Sequence, residues 1–134
     1  MKKLLSVLLV VCLMMGICVT ASAATETYDL SSATKTSTLT ISNGRANCIS
    51  KFSSTDSNIR YVRFDQTLEK FSFLWFWDSI GTWNLTTTKT SFTLGNAKSG
   101  LTSGTYRLKT VFTITFFNGQ QETYTTYSAE KKIA

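Results

Sequence analysis

From Thr36 to Ser128 apolar residues alternate with small or polar ones, and no stretch repeats with a helical period. A period of two sends successive side chains to opposite faces of a strand, which confines the chain to half-buried β-structure. The 23 threonines, joined by Tyr, Phe, Ile and Val, suit a pleated surface packed on one side. Two dipeptides, Asn43-Gly44 and Asn118-Gly119, tolerate positive φ and mark tight hairpins.

The alternation divides into segments. Thr36 to Ser42 is a strand with Leu39 and Ile41 on one face, and Arg45 to Ser53 places Ala46, Cys48, Ser50 and Phe52 together. The polar residues 54–58 form a loop. Ile59 to Lys70 follows, with Val62, Phe64 and Leu68 inward and Arg60, Arg63 and Asp65 outward. Residues 72–85 are dense in aromatics and resist division. Ser91 to Leu94 is a short strand, and 95–104 is rich in turn residues. Thr105 to Phe117 turns Tyr106, Leu108, Phe112, Ile114 and Phe116 inward, with Arg107, Lys109 and Thr113 outward. Glu122 to Ser128 comes next, and the charged tail 129–134 ends the last strand or frays. About seven strands with turns between them predict an all-β fold, an antiparallel immunoglobulin-like sandwich.

The first residues are an address. Lys2-Lys3 precedes an uncharged run from Leu4 to Val19, and Ala21-Ser22-Ala23 is a small-x-small site. That order predicts a signal peptide over 1–23, cleaved after Ala23, and hence a secreted protein. The alternative, a membrane anchor, is disfavoured because the run falls short of about 20 residues and ends in a cleavage motif. A lipid anchor on Cys18 is disfavoured by the bulky Ile17 before it. Residues 24–35 are then expected as a flexible lead-in and 36–134 as one sandwich domain.

Cleavage leaves Cys48 as the only cysteine and lowers the formal charge from +6 by the two lysines removed. No internal disulfide can form, so packing must hold the domain. The basic residues are scattered, which disfavours nucleic acid as a partner.

The composition also excludes chemistry. Without histidine there is no Ser-His-Asp or Cys-His pair and no His-containing zinc site. Without proline there is no Leu-Pro wall-anchoring signal. Asp65 and Glu69 lie on one side of a strand about 13 Å apart, too far for a retaining glycosidase pair. The chain is therefore read as non-catalytic, with no cofactor or metal, and a hydrolase is the least supported class. Cys48 shares a face with Ala46 and Phe52 and reads as an inert core thiol; a reactive thiol is the alternative.

The segment Leu101-Thr102-Ser103-Gly104-Thr105-Tyr106 resembles the corner before strand F of immunoglobulin-like and fibronectin-type sandwiches. The resemblance assigns Leu101, Gly104 and Tyr106 to a structural corner in which the tyrosine hydroxyl bonds back to the backbone. The position two after the tyrosine is Leu108, so the antibody disulfide is absent.

A second resemblance rests on Asn43-Gly44-Arg45-Ala46-Asn47-Cys48, Thr67-Leu68-Glu69-Lys70, Trp77 with Trp83, Tyr106-Arg107, and Glu122-Thr123 with Tyr127-Ser128. In these the chain is similar to small secreted proteins of Gram-positive, clostridium-like bacteria, over most of residues 36–132. The resemblance implies export and a sandwich, and no particular activity. Two features depart from it. Glu69 stands in place of a glutamine, and Phe71-Ser72-Phe73-Leu74-Trp75-Phe76 in place of a polar turn.

That aromatic run is the candidate contact surface. Phe71, Phe73, Trp75 and Trp77 share one parity; Leu74, Phe76 and Ile80 share the other. Both faces are apolar, so at least one must be covered. A partner protein, a glycan ring, a lipid surface or a second copy of the chain would cover it from outside. Alternatively a long connection folds back over it.

Overall fold

The computed structural model describes residue 30 and residues 32–134. The leader 1–23, its cleavage site after Ala23 and most of 24–35 lie outside the described residues.

Eight strands form two antiparallel sheets: β1 (Thr34–Ser42), β2 (Arg45–Ser53), β3 (Ile59–Phe73), β4 (Phe76–Thr87), β5 (Ser91–Lys98), β6 (Gly104–Phe116), β7 (Gln121–Tyr127) and β8 (Lys131–Ile133). One sheet runs β1-β2-β5. The other runs β4-β3-β6-β7, with β8 also on β6. Together they make an open β-sandwich. In the constant-type immunoglobulin arrangement the fourth strand joins the first sheet. Here β4 pairs β3 in the second.

Eight strands fit the expected antiparallel sandwich of about seven, and the tail explains the eighth. β7 pairs β6 up to Lys109↔Tyr127, and β8 resumes on β6 at Tyr106↔Lys131. Between them Ser128 turns its own groups onto the ladder: its Oγ accepts from Leu108 N at 2.8 Å and its N donates to Leu108 O at 2.8 Å. The seventh strand is thus broken in two, and the tail does not fray. Three other boundaries differ from the sequence reading. β1 starts two residues early, and Leu30, expected in the flexible lead-in, is buried in the core. β5 continues to Lys98 through residues that read as turn formers. The undivided segment resolves into a tight hairpin and β4.

The expected inward residues of β2, β3 and β6 are buried, at most 1% exposed. They fall into two apolar clusters. One gathers Phe52, Val62, Phe64, Leu94, Phe112, Ile114 and their neighbours; the other gathers Leu39, Ala46, Cys48, Leu68, Tyr106 and Leu108. Between them runs a chain of polar side chains that crosses both sheets. Asn96 Nδ2 donates to Gln66 Oε1 at 2.7 Å, and Gln66 Nε2 donates to Ser50 Oγ at 2.7 Å. The Ser50 and Thr110 hydroxyls meet at 2.6 Å, Ser37 Oγ donates to Thr110 at 2.5 Å, and Ser37 meets the Thr126 hydroxyl at 2.6 Å. Among the described residues every buried side-chain polar atom has a partner. That is the condition under which a polar layer in a core is tolerated.

The corner before β6 has its hydrogen bond: Tyr106 Oη donates to the Thr102 carbonyl at 2.6 Å. Leu101 N donates to Gly44 O at 2.9 Å, which ties the corner to the β1–β2 hairpin. Gly104 adopts φ 151°, a backbone conformation that residues with a Cβ rarely take, which calls for glycine there.

Candidate functional site

β3 and β4 form the feature that departs from a plain sandwich. Their outer neighbour β6 stops pairing with β3 at Lys70↔Tyr106, whereas the hairpin continues through Phe71↔Trp77 to Phe73↔Phe76. The hairpin therefore runs about three residues past its last pair with β6. β6 itself continues two residues to Gly104, paired with β8, so Phe73, Phe76 and the turn between them stand beyond the end of β6. Two residues, Leu74 and Trp75, close the hairpin, and Leu74 adopts φ 55°.

The tip is apolar and bare. Phe71 is 40%, Phe73 65%, Leu74 57%, Trp75 74% and Phe76 54% exposed. Among the described residues no connection folds over them. Five such side chains present on the order of several hundred Å² of apolar surface, as much as the largest patch of a typical monomer. Trp75 and Phe76 lie 5.7 Å apart, tilted by 32°, and Phe71 meets Trp77 edge-on at 5.4 Å.

Trp77 itself is half-buried, beneath a guanidinium. Arg107 sits 4.1 Å over the Trp77 ring and 4.4 Å over the Tyr127 ring, and its Nε donates to Glu69 Oε1 at 2.9 Å. Cross-strand register explains the grouping: Glu69 is paired with Arg107, and Lys109 with Tyr127, so these side chains share the outer face of the second sheet. A cation between two ring faces gains from both, and the carboxylate fixes its orientation. This brace stiffens the base of the hairpin. Sequence reading did not find it, since Trp77, Arg107 and Tyr127 meet only once the register is known. Glu69, one of the two departures noted in the sequence, completes it.

A bulge sorts the remaining aromatics. Between Leu68↔Gly81 and Glu69↔Ser79 the ladder skips Ile80. One extra residue reverses the parity of everything beyond it. Trp77 and Trp83 are both odd-numbered, yet Trp77 faces outward and Trp83 packs with Ile80 against the second apolar cluster. Gly81 makes room for the indole, since a Cβ there would lie 2.9 Å from Trp83 Cη2. A second irregularity between Phe71 and Phe73 pairs Phe73 with Phe76 and Phe71 with Trp77. The parity that set Phe71, Phe73 and Trp77 on one face and Phe76 on the other therefore fails within the run as well as past Ile80.

The other candidate residues lie apart from the hairpin tip. Cys48 is fully buried, and burial pushes its thiol up to about 11. Asp65 pairs with Arg63 at 3.0 Å and Glu69 with Arg107. Among the described residues no three Cys, Asp or Glu side chains converge as a metal site would require. A shallow open depression on β2 and β5 is lined by Arg45, Asn47, Ile49 and Asn96.

Fold and site together define an open β-sandwich that carries a projecting aromatic hairpin. No family model, curated protein or solved structure matches the chain.

Proposed function

We propose that the protein is an exported, non-catalytic β-sandwich that binds or scaffolds at the cell exterior by docking its β3–β4 hairpin. The observation that carries this reading is the exposure of Phe71 and of Phe73 to Phe76 at the end of the β3–β4 hairpin. Export rests on the leader pattern of residues 1–23. Affinity would come from apolar area removed from water, about 25 cal/mol per Å², less the cost of association. The brace of Trp77, Arg107, Tyr127 and Glu69 supports the reading because a pre-ordered tip loses little entropy when it docks.

The test compares the exported chain with its Phe73→Ser/Trp75→Ser variant. Both positions are exposed, so the variant's thermal midpoint should match that of the parent. Retention on separated cell walls and membranes, and self-association by sedimentation, are then measured for both. Expected is a loss of about tenfold or more in whichever retention the parent shows. Equal retention by parent and variant, or no retention and no self-association by the parent, overturns the proposal.

A further inference from the structure

Resting on that docking reading, we infer that the hairpin's partner is an anionic lipid surface, into whose headgroup layer the tip inserts. Three observations select lipid over a glycan or a protein groove.

The first is shape. A sugar-binding platform needs a ring face left free and flat. Here Phe71 and Trp77 meet at 73°, Trp75 and Phe76 at 32°, and the Trp77 face is taken by Arg107. The exposed side chains surround a convex tip, which only a partner that flows around it can cover from every side.

The second is depth. Phe73, Phe76 and the two-residue turn reach past the end of β6 at Gly104 by roughly 5 Å, the shallow end of the roughly 5–10 Å that interfacial elements reach into the headgroup and acyl boundary. Trp and Phe favour that zone. Past Lys70↔Tyr106 the hairpin has two strands and two open edges, so its unpaired backbone groups suit the hydrated headgroup level and not the hydrocarbon below it.

The third is charge. The strand ends that surround the hairpin base carry Arg45, Lys70, Lys98, Lys131 and Lys132. Arg107 is left out because Glu69 neutralises it. Against these five cationic side chains stand two described carboxylates at the same end, Asp78 opposite Lys70 and Glu130 beside β8. The apolar tip is thus set in a cationic collar, the arrangement that anionic headgroups attract.

The experiment uses residues 24–134, which contain every described strand and both core clusters; the apolar leader would partition into lipid by itself. The probes are phosphatidylcholine vesicles with and without about one third phosphatidylglycerol. Co-flotation should occur with the anionic vesicles and be about tenfold weaker with phosphatidylcholine alone. It should fall about tenfold or more in Phe73→Ser/Trp75→Ser. Tryptophan emission should shift to the blue on binding, and the shift should vanish in Trp75→Phe. Equal flotation with both vesicle types overturns the inference. So does failure to float while wall retention or self-association still depends on Phe73 and Trp75, and in that case the docking reading survives. Flotation that the double variant leaves unchanged overturns both.

Discussion

Cys48 lies on β2 among Leu39, Ala46, Leu68, Tyr106 and Leu108, with no cationic or basic group in that cluster to favour its thiolate. Desolvation disfavours the charged form, and the thiol is pushed up from its ordinary 9.0 to about 11. Two outcomes follow. Thiol reagents at about pH 8 should label the folded protein only through opening, so labelling should accelerate in denaturant and stay slow without it. The second outcome concerns stability. Between the ordinary and the raised value the unfolded chain loses its thiol proton while the folded chain keeps it, so the unfolded state binds fewer protons and stability falls as pH rises. Cys48→Ala lacks that titration. The gap in stability between the parent and Cys48→Ala should therefore narrow from about pH 9 towards about pH 11, as read from urea midpoints. A gap that stays constant with pH would mean that the folded thiol ionises as freely as the unfolded one.

At the scale of the element, the two short hairpins use opposite chemistry for the same bend. Asn43-Gly44 turns with φ 52° and 71°, values these residues adopt at little cost. The β3–β4 hairpin turns with Leu74 at φ 55°, where a branched aliphatic side chain costs about 1–2 kcal/mol. A sequence chosen for stability alone would place Asn or Gly there. Leu74→Asn should accordingly raise stability by about 0.5–1 kcal/mol while weakening whatever retention the tip provides. Thermal midpoints and the vesicle assay read the two effects separately, and a stability that falls would show that Leu74 packs instead of merely protruding. The same contrast explains what could be read beforehand. β2, β3 and β6 alternate between turn-forming residues, and the apolar members of their inward sets are legible, whereas buried Gln66 and Thr110 at the same parity are polar and carry no inward signal. The exposed aromatic run was legible as an excess of rings that one core face could not absorb. The turn at Leu74-Trp75 carries no turn signal, the bulge at Ile80 reverses parity without marking the sequence, and the Trp77–Arg107–Tyr127 brace depends on register among three strands. None of these is a local property of the chain.

Across the whole molecule, the polar chain from Asn96 through Gln66, Ser50, Thr110 and Ser37 to Thr126 links six strands and divides the core in two. Gln66 also donates to the Cys48 and Leu94 carbonyls at 3.3 Å, reaching from the second sheet to the backbone of the first. A single apolar layer would tolerate sliding of one sheet on the other, since dispersion contacts are not directional. Directional bonds with every atom satisfied allow one register only, and that register also fixes the base of the projecting hairpin, four residues beyond Gln66 on β3. Thr110 is the central member, bonded to both Ser37 and Ser50. Thr110→Val keeps the shape and removes the hydroxyl, so buried Ser50 and half-buried Ser37 each lose a partner. The expected cost is about 1–3 kcal/mol, against less than about 0.5 kcal/mol for Thr113→Val on the outer face of the same strand. If the chain couples the two clusters, amide protection at Leu108 on one side and at Phe112 on the other should fall together in Thr110→Val. Loss confined to one side would mean that the polar chain separates two independently stable cores without joining them.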